Sequence, residues 1–261
     1  MLLSCDIGNS SSVSGIFDEK GDIVKTLRID TTKISSVQDL KKLFSKNFKL
    51  SAMDIKDVSV SSVVPSIDPV YKEFFKKSGL NPFFISSEIK LNIKICLENR
   101  EKLGSDRIAN ACYAHSLNPA FKIIIDAGTA LTIDVVDREG SFLGGIIYPG
   151  LSSLADSLYR STEKLPLVNI GRIKTLIGTS TESSISSGLY HGFLFLIKGF
   201  IYNICEYYNC DVNNLTAIFT GGHSGIIIDD IDIKAKKILD ENLTLKGIKY
   251  LYDLNAVNKT A

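Results

Sequence analysis

The sequence Leu2-Leu3-Ser4-Cys5-Asp6-Ile7-Gly8-Asn9-Ser10 is matched in the second half of the chain by Phe121-Lys122-Ile123-Ile124-Ile125-Asp126-Ala127-Gly128-Thr129. Each copy places an apolar, strand-like run before a carboxylate, a glycine and a small polar residue. Such a strand ends in a turn whose backbone can approach a phosphate closely, because glycine has no side chain to block it. A single Asp-x-Gly is an ordinary turn signal. Two matched copies instead predict a duplicated strand-turn unit that holds one nucleotide.

The residue types in these turns suit phosphate and metal binding. A carboxylate at the end of a strand can hold a hydrated divalent cation. Small polar residues around the two turns add hydrogen-bond donors, namely Asn9, Ser10, Ser11, Ser12, Thr129 and Thr132. The turns are therefore candidate binding sites for the phosphates of a nucleotide.

The composition indicates which partners and which cellular compartment to expect. The chain has 261 residues, 44% of them hydrophobic, and a formal net charge of +1. A balanced charge argues against nucleic acid or a membrane surface as the main partner. We find neither a secretory signal at the N-terminus nor an apolar stretch of membrane-spanning length, and the five cysteines show no metal-ligand spacing. We therefore expect a cytoplasmic protein with reduced thiols.

The order of predicted elements is the same in the two halves. The first half gives three strands (Leu2 to Cys5, Ser12 to Phe17, Ile23 to Ile29), then alternating helices and strands (Val37 to Phe44, Val58 to Val63, Val70 to Ser78, Phe83 to Ile85). The second half repeats three strands (Lys122 to Ile125, Leu131 to Val136, Ser141 to Ile147), followed by helices and the strand Ala217 to Thr220. The longest helical region is predicted at Ser184 to Tyr208, and its apolar surface must pack within the monomer or against a second subunit.

This order predicts an α/β protein of two duplicated lobes, residues 1–117 and 118–261. Each lobe has a mixed, mostly parallel sheet flanked by helices, and a nucleotide cleft lies between the lobes. The last helix of the chain could pack on the first lobe instead of the second.

A further candidate site, apart from the two matched turns, is the segment Gly104-Ser105-Asp106-Arg107. Ser105 or Asp106 could simply cap the helix that follows. Asp106 is also a possible proton acceptor, and the guanidinium of Arg107 suits a carboxylate or phosphate. Together they could orient a hydroxyl nucleophile and anchor an acidic substrate.

Two glycine-rich turns, Gly144 to Gly150 and Thr220 to Gly225, are weaker signals. His223 beside the second is interpreted as structural or close to the nucleotide.

Read together, these motifs resemble the type III pantothenate kinases, a family within the superfamily of acetate and sugar kinases, actin and heat-shock chaperone ATPases. The resemblance runs from Met1 to about Leu254 and includes a further motif, Gly178 to Ser183. It implies two ribonuclease H-like lobes, homodimers, and phosphorylation of the 4'-hydroxyl of pantothenate by ATP at the start of coenzyme A biosynthesis.

The resemblance also implies roles for particular residues. Asp106 would be the catalytic proton acceptor. The pantothenate site would contain Gly104, Ser105, Asp106, Arg107 and Thr181. The ATP site would contain Asp6, Ile7, Gly8, Asn9, Ser10, Ser11, Ser12, Val13 and Thr129. Asp6 would lie near Mg²⁺, and Asp126 would bind a monovalent cation, K⁺ or NH₄⁺.

Two alternatives stay open. One is an ATP-binding regulatory or accessory protein on the same fold, because a fold alone does not determine activity. The segment Leu97 to Arg100 is the feature that would suit it, since the family usually carries a tyrosine and an Asn-Pro pair there. The other is a sugar or acetate kinase, against which the short chain and the Gly104 to Arg107 motif argue.

Overall fold

The fold described below is that of a computed structural model, which describes residues 1–48 and 54–256. The chain divides into two compact units. The first unit comprises Met1–Leu117 and the C-terminal segment from Asn242, and the second comprises Asn118–Glu241.

The secondary structure alternates strands and helices in both units. From the N-terminus the elements are β1 (Leu2–Ile7), β2 (Ser11–Phe17), β3 (Ile23–Asp30), α1 (Val37–Asn47), β4 (Asp57–Ser62), α2 (Asp68–Lys77), β5 (Pro82–Phe84), β6 (Lys94–Ile95) and α3 (Ser105–Leu117). They continue with β7 (Phe121–Ala127), β8 (Ala130–Val136), β9 (Ser141–Pro149), α4 (Leu151–Arg160), α5 (Thr181–Tyr207), β10 (Leu215–Thr220), α6 (Ser224–Ile227), β11 (Lys236–Leu239) and α7 (Leu243–Ala256).

The sheet of the first unit has the strand order β3-β2-β1-β4-β5. β1 pairs antiparallel with β2 and parallel with β4. The apolar residues of β1 that point to one face, such as Leu3 and Ile7, pack in a buried cluster with Phe44 of α1 and Tyr71 of α2. α7 lies on the opposite face, where Leu245 packs against Leu2 and Phe17. The β1 side chains thus alternate between two covered faces.

The second unit contributes five strands in the order β11-β10-β7-β8-β9. β7 pairs antiparallel with β8 and parallel with β10, as β1 does with β2 and β4. The odd-numbered residues of β7 enter one apolar cluster with α4, α5 and the segment around Ile231. The two units therefore share one strand topology, which confirms the duplicated fold predicted from the sequence.

The predicted elements are confirmed with small differences at their ends. The predicted helix Ser184 to Tyr208 begins three residues earlier, at Thr181, because Ser180 and Ser183 form a capping box there. Among the described residues, no helix combines the length and apolarity that crossing a membrane requires.

Candidate functional site

The first candidate site is the turn between β1 and β2. Asp6 stands opposite Val13 across the antiparallel pair, one residue before the end of β1. The amide of Gly8 donates to the carbonyl of Ser11 at 3.1 Å, which closes the turn. A Cβ on Gly8 would lie 3.0 Å from that same carbonyl oxygen, so glycine is the residue that fits. Asn9 and Ser10 are exposed at the tip, where a ligand can reach them.

Two residues that the sequence did not single out support this turn. The hydroxyl of Thr31 donates to the Gly8 carbonyl at 2.8 Å, and its amide donates to the Ser10 carbonyl at 3.1 Å. The guanidinium of Arg28 donates to the Ser11 hydroxyl at 2.7 Å and brings a positive charge to the turn. Both residues arrive through the antiparallel pairing of β2 with β3. That pairing is long-range information, so no local sequence signal identified them.

Ser12 differs from its neighbours in the predicted ATP site. Its side chain is fully buried, and its hydroxyl shares a hydrogen bond of 2.7 Å with the hydroxyl of Tyr71 in α2. Ile7 is also buried and belongs to the apolar core on the same face. Any contact of these two residues with ATP would therefore come from their backbone.

The second candidate site in the first unit is the start of α3. Asp106 is partly buried, and its Oδ1 accepts a hydrogen bond of 2.7 Å from the backbone amide of Arg107. Burial raises the pKa of Asp106 above its ordinary value, although that hydrogen bond and the positive charge of Arg107 oppose the rise. A Cβ on Gly104 would lie 2.5 Å from Oδ1, so glycine leaves the room that this carboxylate occupies. The carboxylate is thereby a stronger base than an exposed aspartate.

Ser105 takes a different position from Asp106. It is only 6% exposed, and its hydroxyl bonds to the end of β4 rather than to the turn of its own helix. The Ser105 hydroxyl lies 2.9 Å from that of Ser61, accepts from the Ser62 amide at 2.8 Å and donates to the Ser62 carbonyl at 3.0 Å. Its substrate contact stays a prediction, and the backbone of Ser105 is the part left to make it.

The segment that departs from the family pattern leads into this helix. Leu97 to Arg100 form a turn that continues into a short 3-10 helix, Arg100–Lys102. The Arg100 guanidinium donates to the Ser87 carbonyl and lies 3.7 Å from the Glu88 carboxylate. Arg100 thus anchors the segment that precedes Gly104 to Ser87 and Glu88.

The third candidate site is the turn between β7 and β8 in the second unit. Asp126 stands opposite Thr132 of β8 and beside Thr220 of β10. Gly221 follows β10 with a φ of +88°, and a Cβ there would collide with Asp126 Oδ1 and with the Ala127 backbone. A Cβ on Gly128 would lie 3.3 Å from the same Oδ1. Two glycines from distant parts of the sequence therefore form the space around the Asp126 carboxylate.

Two further segments hold this turn. The Thr129 carbonyl accepts from the Gly150 amide at 3.0 Å and from the Ser153 hydroxyl at 2.7 Å. The amide of His223 donates to the Ala127 carbonyl at 3.0 Å, and its ring Nε2 lies 3.2 Å from the Ser152 hydroxyl. Burial lowers the pKa of His223 below its ordinary value, which favours the neutral form of the ring. His223 therefore helps to hold the β7–β8 turn in place.

Thr181 is the first residue of α5 and is exposed. The preceding Gly178 could not carry a Cβ without meeting the backbone of Ser183 and Ser184. The Gly178 to Ser183 motif is thus a tightly folded helix start.

A separate pocket of about 540 Å³ lies elsewhere in the second unit. Its walls include Arg172, Lys174, His191, Phe195 and Lys198. None of the residues predicted from the sequence to bind ATP or pantothenate lines it. Arg172 is paired with Asp230 and Lys198 with Asp232.

Known proteins similar to this chain were found by sequence and by structure. The family model described as type III pantothenate kinase matches residues 2–203. A type III pantothenate kinase of Sulfurihydrogenibium sp. (strain YO3AOP1) is 36% identical over 256 residues, covering 96% of this chain and 99% of its own length. The type III pantothenate kinase of Persephonella marina is 37% identical, covering 97% of this chain and 98% of its own length.

A solved structure supports the fold. The ROK family glucokinase of Streptomyces griseus, in complex with glucose and AMPPNP, superposes with a TM-score of 0.57 at 12% identity, covering 98% of this chain and 99% of that chain. At this identity the likeness shows a shared fold only. Since the family model covers most of the chain and the relatives match it from end to end, the chain belongs to the type III pantothenate kinase family of phosphotransferases.

Proposed function

We propose that this chain transfers the terminal phosphoryl group of ATP to the 4'-hydroxyl of pantothenate, giving 4'-phosphopantothenate and ADP in the first step of coenzyme A biosynthesis. Membership of the family supports the reaction. The observation that carries the mechanism is Asp106, a partly buried carboxylate at the start of α3 whose pKa is raised by burial.

In this proposal Asp106 accepts the proton of the 4'-hydroxyl as its oxygen attacks the phosphorus. General bases work best when their pKa lies near the working pH, so the raised pKa of Asp106 suits the role. Arg107 would anchor the pantothenate carboxylate or neutralise charge on the transferring group. Gly104 leaves space for the Asp106 carboxylate, and the backbone of Ser105 and the exposed Thr181 would contact pantothenate.

We assign ATP binding to the residues predicted from the sequence, which lie in the β1–β2 turn and in the β7–β8 turn. The β1–β2 turn from Gly8 to Ser11 would bind phosphates, with the Gly8 amide closing the turn and the exposed side chains of Asn9 and Ser10 presented at its tip. Ile7, Ser12 and Val13 would support this turn. Thr129, in the β7–β8 turn, is proposed as a further ATP contact.

Mg²⁺ fits the residues present. It is commonly held in proteins by one or two carboxylates together with substrate phosphates. Asp6, at the end of β1 beside the turn, offers one such carboxylate. Mg²⁺ bound there would neutralise phosphate charge.

A monovalent cation, K⁺ or NH₄⁺, fits the surroundings of Asp126. Its Oδ1 lies in a space that a Cβ on Gly221 would fill, and Gly128 lies beside both this Oδ1 and the Ala130 carbonyl oxygen. Oxygen ligands of this kind suit such cations. Positive charge beside Asp126 would favour binding of the anionic phosphates.

We propose in addition that the chain forms a homodimer in the cytoplasm. Exposed apolar side chains on α5 support the dimer. Among them are Phe195, which is 62% exposed, and Tyr202, which lies about two helical turns further along the same side of the helix. The cysteines are free thiols, and three of them are buried, which suits a reducing compartment.

The proposed function is tested by a coupled ADP-release assay with purified protein, ATP and Mg²⁺, run with and without pantothenate and with K⁺ or Na⁺. We expect ADP release that requires pantothenate and is stimulated by K⁺. Glucose and acetate serve as alternative acceptors for the sugar or acetate kinase alternative. ATP binding without turnover of any acceptor would instead support the regulatory alternative and reject the kinase.

A further inference from the structure

The N-terminus of α3 is joined to the end of β4 by two buried serines. Ser61 is fully buried and Ser105 is 6% exposed. A serine hydroxyl has one donor and two acceptor positions. Since Ser105 donates to the Ser62 carbonyl and accepts from the Ser62 amide, its remaining position accepts the hydroxyl of Ser61 at 2.9 Å. All three positions of the Ser105 hydroxyl are therefore used inside the first unit.

This hydroxyl pair connects the two candidate sites of the first unit. Ser61 is the register partner of Asp6 in the parallel β1–β4 pair, so the two side chains stand on the same face of the sheet. Ser105 directly precedes Asp106. Just beyond Ser61 and Ser62, the amide of Val63 donates to the Ile7 carbonyl at 3.0 Å. The end of β1, the end of β4 and the start of α3 are thus bonded together at one place.

We infer that Ser61 and Ser105 are positioning residues that hold Asp106 in place relative to Asp6 and the β1–β2 turn. The inference rests on the proposed function, in which Asp106 is the base. Ser105 then acts through the helix start that it anchors, and its hydroxyl does not touch pantothenate. A base displaced by about 1 Å can lose about 10²-fold in rate, because proton transfer needs hydrogen-bond distance to the nucleophile.

The chain offers a matched control on the same strand. Ser59 stands two residues before Ser61, on the same face of β4, and is fully buried. Among the described residues its hydroxyl has no hydrogen-bond partner. Ser59→Ala therefore removes a buried hydroxyl of the same kind without breaking a bond to α3.

The test compares Ser105→Ala, Ser61→Ala and Ser59→Ala in the full-length protein, with Asp106→Asn in parallel. For Ser105→Ala and Ser61→Ala we expect kcat to fall by about 10-fold or more, with the Kd for ATP changed by less than about twofold, because geometry at the base is lost while the phosphate turn remains. The acid limb of the kcat/KM profile should move to lower pH, since water then reaches Asp106 and its pKa falls. Ser59→Ala should behave as wild type.

A purely structural role of the serines would lower thermal stability but leave the pH profile unchanged. Wild-type kcat and pH profiles in both Ser105→Ala and Ser61→Ala would overturn the inference while leaving the kinase intact. Full activity of Asp106→Asn would show that Asp106 is not the base and would also overturn the inference. No turnover of pantothenate by wild type would instead reject the proposed function. Carboxyl NMR titration of Asp106 in wild type and Ser105→Ala gives a readout without turnover, and identical titration curves would also overturn the inference.

Discussion

At the scale of single residues, the base strength of Asp106 depends on how little water reaches it. Burial is the largest influence on its pKa and raises it, while the Arg107 amide and charge act in the opposite direction. An aspartate in water titrates near pH 3.9 and is a weak base at neutral pH. The position of Asp106 between Gly104 and the first turn of α3 therefore determines its base strength.

Replacing Asp106 with Asn should abolish most of the activity. We expect kcat to fall by about 10²–10⁴-fold, the usual contribution of a general base, because the amide cannot accept the proton. ATP binding should change little, since the carboxylate is assigned to the acceptor hydroxyl and not to the nucleotide. Steady-state kinetics and calorimetric titration with ATP measure the two effects. Retention of both rate and affinity would show that Asp106 is not the base.

The same substitution should not destabilise the protein. Because the folded-state pKa of Asp106 is raised, its contribution to stability is present at pH values below its unfolded pKa and is lost as pH rises through the folded pKa. At pH 7 the buried carboxylate is therefore a cost that Asp106→Asn removes. We expect an equal or higher Tm than wild type at pH 7 and a smaller difference in acid, as measured by circular dichroism. A much lower Tm at pH 7 would contradict this.

At the scale of secondary-structure elements, the second unit forms its candidate site from three turns. The β7–β8 turn carries Asp126, the β9–α4 connection supplies Gly150, and the turn after β10 supplies Gly221 and His223. Gly150 also could not carry a Cβ, which would collide with the backbone of Gly128 and Thr129. The turns pack against one another backbone to backbone.

Gly221 and Gly222 provide a matched pair to test this packing. Gly221→Ala would place a Cβ against Asp126 Oδ1 and Ala127 at a φ of +88°, whereas a Cβ on Gly222 meets nothing within 4 Å. We expect Gly221→Ala to lower the free energy of unfolding by about 1–3 kcal/mol and to weaken K⁺ stimulation, because it fills the space at Asp126. Gly222→Ala should change stability by less than about 1 kcal/mol. Urea denaturation and K⁺ titration of the rate measure both, and equal effects of the two variants would be inconsistent with a packed cation site.

The contact of α3 with α7 depends on another glycine. A Cβ on Gly247 of α7 would collide with the Ala109 backbone in α3, which cannot move aside without shifting the helix. A Cβ on Gly15 of β2 would lie 2.9 Å from a terminal methyl of Leu245, which can rotate away. We therefore expect Gly247→Ala to cost more than about 2 kcal/mol of unfolding free energy and Gly15→Ala less than about 1.5 kcal/mol. Thermal or urea unfolding of the two variants tests this order, and the reverse order would contradict it.

At the scale of the whole molecule, each unit buries its own core, yet α5 leaves apolar side chains exposed. α5 runs for 27 residues and buries Phe193, Ile197 and Ile201 in the second unit. Phe195 and Tyr202 are on its exposed side. This exposed side of α5 is the surface that we propose for the dimer.

The proposed homodimer should show in the mass of the protein in solution. Light scattering after gel filtration should give twice the 28.6 kDa mass of the chain. Phe195→Glu should shift the protein towards monomer, because a charge would be buried in an apolar interface. Val24→Glu, at a similarly exposed apolar site on β3, is the control and should leave the mass unchanged. A monomeric wild-type protein would reject the dimer.

Much of the fold could be read from local sequence patterns. Apolar runs that end in Asp6-Ile7-Gly8 and Asp126-Ala127-Gly128 predicted the two strand-turn units, and the strands and long helix followed from periodicity. The roles of the site residues remain predictions. Thr31, Arg28 and the Ser61–Ser105 pair were missed, because partners such as Ser61 and Ser105 are 44 residues apart and meet only when the chain folds.

The sequence by itself determined which residues can end a strand in a phosphate-sized turn, because backbone freedom at glycine and the donors of small polar side chains are local properties. Only the tertiary structure decided which of those residues keep their side chains accessible. It directs the Ser12 hydroxyl to Tyr71 and the Ser105 hydroxyl to Ser61, and it leaves Asp106 partly buried with a raised pKa. Burial and hydrogen-bond partners come from strand register and helix packing, which distant parts of the chain set together.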